Sequence, residues 1–325
     1  LAAAAPVPSS QSVTTLQAVQ VEDKHIQAPL LPPDWYMNER LCDKEIKRGD
    51  PVQHKDANES RSMYHFLKDE YSSKLRKREF VVGALYKNLI GGYTVIDCLG
   101  KLGRIELNVK IEGQCETTST VTVVNVSDCQ NLLESVVDLG KSLGERGNAR
   151  KYVGDVGEMW GLGYKNKKKA EKYAKSNEPR VKNAMRSVCE NVTRDLGQHF
   201  STALASITRA EQDGTQCPPL PEMGGRNGPG SCIMISKNLG NSAHIDYQDD
   251  SLSLAVWVEE TVGCASNWWF ILPNVRLNGK SGVAIRLFHG AAISWNGKLI
   301  RHCTSITETG ENNNVYRCMF GSCRS

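Results

Sequence analysis

The segment Asn241-Ser-Ala-His244-Ile-Asp246-Tyr-Gln-Asp249-Asp250 carries an imidazole and a carboxylate two residues apart. If the segment is extended, side chains alternate with period two, and His244 and Asp246 share one face. A second imidazole from a distant strand would complete a two-histidine, one-carboxylate set. Such a set holds Fe(II) and leaves coordination positions open for oxygen and an organic co-substrate. Two histidines compete for that place: His289 in Phe288-His-Gly290 and His302 in Arg301-His-Cys303. Phe288-His-Gly290 reads as a strand running into a turn, with His289 partly buried and hydrogen-bonded at the strand end. Trp295-Asn-Gly-Lys298 reads as a hairpin that delivers Leu299-Ile-Arg-His302 onto a new strand, which favours His302. His244, Asp246 and His302 are therefore the expected metal ligands and catalytic centre. Asp249 and Asp250 follow closely, and one of them is placed to orient a ligand or bond a co-substrate. The plainer alternative for both is a solvated turn.

The elements that must position these residues can be read from periodicity. Strand-like runs fall at 80–86, 92–97, 105–111 and 119–125, and the third alternates apolar and polar residues cleanly. Helices are expected near 63–75 and over 132–143. The clearest helical period covers 178–211, where Ala184, Met185, Val188, Val192, Leu196, Phe200, Leu204 and Ile207 make one apolar stripe. Glycines and prolines break the chain from 214 to 230. Short strand-like runs then follow at 232–236, 253–258, 267–272, 283–288, 292–295 and 315–320, the pattern of a sandwich or barrel. The expected class is α+β: a C-terminal double-stranded β-helix, or jelly roll, braced by N-terminal helices and strands. Residues 1–35 read as a linker or arm, 36–214 as an N-terminal α+β part packing on the barrel, and 215–325 as the metal-binding core.

Composition narrows the class further. The chain has 325 residues, 40% hydrophobic and 23% charged, in the range of an ordinary globular protein. No apolar run reaches the roughly 18 residues that a bilayer-spanning helix needs, so no membrane partner is expected. The opening Leu1-Ala-Ala-Ala-Ala-Pro-Val-Pro lacks the basic region of a signal peptide. Eleven cysteines are dispersed, odd in number and without a Cys-x-x-Cys pair, which predicts reduced, mostly buried thiols and no structural zinc site. Three Asn-x-Ser/Thr sequons, at Asn58, Asn125 and Asn191, are short enough to arise by chance. Net charge is only +4, but it is uneven. Lys165, Lys167, Lys168 and Lys169 form one cationic cluster, extended by Lys172, Lys175, Arg180, Lys182 and Arg186; Lys74, Arg76, Lys77 and Arg78 form another. Both suit phosphate contacts, and a solvated helix face is the plain alternative. Trp257, Trp268, Trp269 and Trp295 are expected in the core, with one exposed indole able to stack on an extruded base.

These motifs also carry a family likeness. Asn241-Ser-Ala-His-Ile-Asp-Tyr-Gln-Asp-Asp250, Ala255-Val-Trp257, Asn267-Trp-Trp-Phe270, Pro273-Asn274, Phe288-His-Gly290, Ile293-Ser-Trp-Asn-Gly297 and Arg301-His-Cys-Thr-Ser305 resemble the TET/JBP-type Fe(II) dioxygenases over residues 222–320. The likeness is greatest to their algal and fungal transposon-associated branch, which includes a vitamin-C-dependent, glyceryl-transferring enzyme. The resemblance implies iron on His244, Asp246 and His302, and a co-substrate contact from Asp249. It implies double-stranded DNA containing 5-methylcytosine as substrate, a nuclear location and a monomer. Ascorbate is the implied co-substrate, because the stretch Thr309-Gly-Glu-Asn-Asn313 lacks the cation that anchors 2-oxoglutarate in typical relatives. Arg317 could serve instead across a longer loop, which keeps 2-oxoglutarate as the alternative. A non-enzymatic jelly-roll binding module is the reading from a different class.

Overall fold

The computed structural model describes residues 94–96, 103–111, 117–144, 147, 156–166, 171–212, 220–225, 228–241, 244–246, 252–266, 268–305, 307–309 and 313–321. In chain order the strands are β1 (Thr94–Ile96), β2 (Arg104–Ile111), β3 (Thr118–Asn125), β4 (Val156–Asn166), β5 (Glu171–Lys172), β6 (Cys232–Gly240), β7 (Ser253–Glu259), β8 (Ala265–Ser266), β9 (Trp269–Leu277), β10 (Lys280–Arg286), β11 (Ala291–Trp295), β12 (Cys303–Thr304), β13 (Glu308–Thr309) and β14 (Val315–Gly321). The α-helices are α1 (Gln130–Ser142), α2 (Pro179–Leu196) and α3 (Ser201–Gln212).

Eight segments of the C-terminal part alternate between two antiparallel sheets. The larger has the order β6-β14-β7-β11. The smaller runs from His244, bridged to His302, through β12 and β9 to β10. Along the chain the segments visit the larger sheet, the smaller, the larger, the smaller twice, the larger, the smaller and the larger. That winding is a double-stranded β-helix, in which sequence neighbours other than β9 and β10 lie in opposite sheets and most spatial neighbours come from afar. The N-terminal hairpin β2–β3 joins the two sheets along one side, because β3 pairs with β11 while the far end of β2 reaches β9. β4 extends the larger sheet beyond β6, and β1 runs parallel to β10.

The larger sheet separates two cores. On its outer face Leu132, Leu133, Val136 and Leu139 of α1, Val181, Met185, Val188 and Val192 of α2, and Ile207 of α3 pack against Leu254, Val256, Val258, Tyr316, Cys318 and Phe320. On its inner face Ala255, Trp257, Ile293, Trp295 and Val315 meet Phe270, Leu272, Val283 and Ile285 of the smaller sheet. β7 is consequently buried at every residue, as a strand covered on both faces must be. Each large side chain removed from water here contributes about 1.5–3 kcal/mol. Lys141, in the last turn of α1, complements the helix dipole and pairs with Glu260 just past β7 at 2.8 Å.

Most expected strands are present. The segments expected at 63–75 and 80–86 lie outside the described residues. Three readings need correction. The single helix over 178–211 is two helices, broken after Gly197, where the chain turns while Phe200, Ala203 and Ile207 stay buried; periodicity cannot register a turn that keeps the stripe in phase. β4 escaped notice because Gly157, Gly161 and Gly163 interrupt its alternation. Those glycines have steric causes: a Cβ on Gly161 would enter the Tyr173 ring, and one on Gly163, at φ 81°, would meet the Ser231 carbonyl. The turn at 295–298 is no hairpin. β11 is already flanked by β3 and β7, so the chain must cross to the other sheet. The described cysteines are free thiols: Cys189, Cys303 and Cys318 are buried, and Cys129, Cys232 and Cys264 are partly so. Among the described residues no helix is long and apolar enough to cross a membrane.

The two kinds of glycine can be told apart by stability. Gly144 has φ 77° and open space at its Cβ position, so Gly144→Ala should cost about 1 kcal/mol from backbone conformation alone. Gly163→Ala should cost roughly 3 kcal/mol, because the β4–β6 backbone must also shift. Denaturant midpoints at unchanged m-value measure both.

Candidate metal centre

The centre is built by backbone pairing before any side chain acts. The His244 N–H donates to the His302 carbonyl at 3.0 Å, and the His302 N–H donates back to the His244 carbonyl at 2.9 Å. Directly opposed residues of an antiparallel pair project to the same side. Asp246, two residues on, projects to that side as well, and its N–H donates to the Gly297 carbonyl at 2.9 Å. Asn296 shapes the crossing: its side-chain oxygen accepts from the N–H groups of Lys298 and Leu299, both at 3.2 Å, as in an Asx turn.

The three side chains converge. His244 Nε2 lies 3.5 Å from one Asp246 carboxylate oxygen, and His302 Nε2 lies 3.2 Å from the other. One ligand atom from each residue lies within 4.8 Å of the others. The imidazole centroids are 4.3 Å apart. For metal–ligand distances of about 2.0–2.2 Å, cis ligand atoms stand roughly 3 Å apart, close to the two separations observed. His302 is fully buried, and its Nε2 makes no hydrogen bond despite the nearby carboxylate. A buried ring nitrogen left in this state is costly, and a cation at the point of convergence would satisfy it together with Asp246. The residues present therefore fit a divalent metal of the kind bound by mixed imidazole and carboxylate ligands.

The surroundings orient His302. Its Nδ1 lies 3.0 Å from the Ile300 carbonyl and 3.3 Å from the Trp295 indole N–H, a donor, so the two contacts call for opposite tautomers. With the proton on Nδ1, the ring donates to Ile300 and leaves the Nε2 lone pair facing Asp246, the tautomer a metal ligand needs. Trp295 stands edge-on to the ring at 4.9 Å, and Phe270 lies 5.8 Å away. Trp257 packs behind them, 5.2 Å from Phe270. Together these rings wall the inner side with apolar surface. Solvent enters from the carboxylate: the Asp246 side chain is 27% exposed, against 1% for His302.

Two asparagines hold the segments in register. Asn241 accepts the Thr304 N–H on its side-chain oxygen at 2.7 Å, while its own N–H donates to the Thr304 carbonyl at 3.0 Å. Asn274, on β9, accepts the Arg301 N–H at 2.8 Å and donates to the Leu299 carbonyl at 3.3 Å. Both stand in the motifs quoted above, yet sequence reasoning assigned them no role. The available signal was their residue type, since Asn is depleted in strands and a buried one must be bonding backbone.

The other sequence candidates are placed as follows. His289 is half-buried and stands apart from the centre, with its Nδ1 3.1 Å from the Glu259 carbonyl, as expected of a histidine bonded at a strand end. Arg317 is buried on β14 and shares the inner face with Val315 and Met319. Lys165 is the penultimate residue of β4, exposed and ion-paired with Glu171 at 3.0 Å. Asp249, Asp250, Lys167, Lys168, Lys169 and the 74–78 cluster lie outside the described residues. Of the four tryptophans, Trp257, Trp268 and Trp295 are core and Trp269 is half-buried.

No family model and no curated protein sequence matches the chain. Among solved structures, an oxidoreductase of the 2OG-Fe(II) oxygenase family from Burkholderia pseudomallei is 12% identical with a TM-score of 0.39, covering 63% of this chain and 87% of that one. NgTET1 in complex with 5mC DNA is 6% identical with a TM-score of 0.38, covering 78% of this chain and 90% of that one. A prolyl hydroxylase from Trichoplax adhaerens is 13% identical with a TM-score of 0.34, covering 78% and 94%. Likenesses at these values transfer no activity. The class is defined by the chain's own geometry: a double-stranded β-helix bearing a two-histidine, one-carboxylate cluster on its smaller sheet.

Removing a supporting asparagine should loosen the metal without abolishing it. Asn241→Ala and Asn274→Ala should each weaken Co(II) or Fe(II) binding about 10- to 100-fold, read by anaerobic titration. His302→Ala should remove tight binding altogether.

Proposed function

We propose that this protein is an Fe(II)-dependent dioxygenase that modifies the methyl group of 5-methylcytosine in double-stranded DNA. It acts as a nuclear monomer, with ascorbate as co-substrate and glyceryl transfer as the reaction. The observation that carries the oxygenase reading is the convergence of His244, Asp246 and His302 on one face of a jelly-roll sheet. The DNA reading is supported by the resemblance of residues 222–320 to TET/JBP-type dioxygenases.

Bound at the three ligands, Fe(II) would supply oxygen activation and one-electron chemistry at its open positions. The chain's own residues do the rest. With its proton on Nδ1, against the Ile300 carbonyl, His302 would offer Nε2 as a ligand. Trp295, Phe270 and Trp257 exclude water from the inner side, and Asp246 marks the side that faces solvent. The target base leaves the duplex to reach this edge, at a cost of a few kcal/mol in lost stacking and pairing. Lys165 and the exposed Arg180 and Arg186 contact phosphates, with Lys167, Lys168 and Lys169 continuing that cationic run. α2, which carries the two arginines, covers the outer face of the larger sheet, so these contacts serve backbone flanking the target. Asp249 contacts the co-substrate.

One observation favours a second co-substrate. Arg317 is buried on the inner face of the larger sheet, and a buried guanidinium suits a carboxylate. That favours 2-oxoglutarate, with hydroxylation of 5-methylcytosine or of another substrate. Mass spectrometry of a methylated duplex incubated with Fe(II) and each co-substrate in turn separates the readings. A glyceryl adduct formed with ascorbate is the expected product. Succinate release coupled to hydroxymethylcytosine would establish the second reading, and product from the His244→Ala variant equal to wild type would sink both.

A further inference from the structure

Two contacts meet at one atom of His302, and they cannot be made together. The Trp295 indole nitrogen stands 3.3 Å from Nδ1, and the Ile300 carbonyl oxygen stands 3.0 Å from the same atom. An indole N–H only donates and a carbonyl oxygen only accepts. The first contact therefore needs a lone pair on Nδ1, and the second needs a proton there. A neutral imidazole carries one proton, so the state of Nδ1 fixes the state of Nε2. With a lone pair on Nδ1, the proton sits on Nε2, 3.2 Å from an Asp246 carboxylate oxygen. With the proton on Nδ1, Nε2 presents a lone pair to that carboxylate, an unfavourable pairing until a cation stands between them.

Trp295 is poorly placed to find another acceptor. It is fully buried on β11, with Phe270 4.8 Å and Trp257 6.5 Å from its ring. Its N–H is satisfied by the lone pair of His302 Nδ1, and a buried donor deprived of its acceptor is costly. We propose that Trp295 is a positioning residue that opposes metal binding: its indole N–H holds His302 with the proton on Nε2, and an ion is bound only when that hydrogen bond breaks. The two contacts at Nδ1 then serve two states, the indole before an ion arrives and the Ile300 carbonyl afterwards. The exchange balances, since one proton leaves Nε2 and one is held on Nδ1, and the charge of the ring is unchanged. This inference rests on the metal-centre reading of His244, Asp246 and His302. It adds that the affinity is set below what those three ligands alone would give.

The test is equilibrium binding and needs no turnover. Wild type is titrated with Co(II) without oxygen beside two altered proteins. Trp295→Phe removes the donor, and β-(3-benzothienyl)alanine at position 295 removes it while keeping a bicyclic ring of the same shape. The Co(II) Kd should fall about tenfold in both. A tryptophan that only packed against the site would move it the other way, because its loss would loosen His302. Nitrogen NMR of histidine-labelled wild type, before and after Zn(II), needs no variant to fold. At a pH of about 8, above the ordinary histidine range, the His302 proton should be on Nε2 alone before Zn(II) and on Nδ1 after it. A proton on Nδ1 before Zn(II), or a benzothienyl protein that binds Co(II) no more tightly than wild type, would overturn the inference and leave the metal centre standing. Wild type that binds neither ion would overturn both.

Discussion

Everything at the centre depends on one pair of reciprocal backbone hydrogen bonds, those between His244 and His302. Two imidazoles 58 positions apart in sequence become cross-strand neighbours only in that register. A slip of one residue on either strand would turn one ring to the opposite face. The bond pair is short in extent, since His244 lies in an isolated bridge and β12 spans two residues. Side chains supply what the short ladder lacks: Asn241 closes it at one end, Asn274 ties the incoming loop, and Gly297 accepts from Asp246 at the other.

The fold gives this small ribbon something rigid to lean on. The larger sheet is packed on both faces, by helices outside and by the smaller sheet inside, and its strands carry aromatic rings that reach across to His302. Position of the ligands is thus transmitted through Phe270, Trp295 and Trp257 to a strand that is buried at every residue. The N-terminal strands belong to the same assembly, because β2 and β3 bond to both sheets.

Local pattern made much of this legible in the sequence. Short apolar runs located β2, β3, β7, β11 and β14 closely, and the His-x-Asp spacing singled out His244 and Asp246, while His302 was preferred to His289 on a hairpin reading that the fold overturns. What local pattern could not convey was partnership. Trp295-Asn-Gly-Lys298 looked like a hairpin because Asn-Gly is the usual two-residue hairpin turn. The deciding fact, that both edges of β11 were already taken, is a property of distant residues. β4 was hidden for a different reason: its glycines answer close approaches of Tyr173 and Ser231, and steric need of that kind leaves no hydrophobic period. Arg317 stood in plain view on a strand, but its burial beside Ser236 and Trp257 follows from register.

The uneven exposure of the three ligands has a kinetic meaning. Both imidazoles are almost closed off from water, His302 behind Trp295 and Phe270, while the carboxylate keeps an edge toward it. Capture and loss of an ion must then proceed through Asp246, with the rings engaging last on the way in and releasing last from a partly stripped ion on the way out. A chelator in solution would meet the site at its oxygen side, so residence time would be set by how readily that one carboxylate gives up the ion.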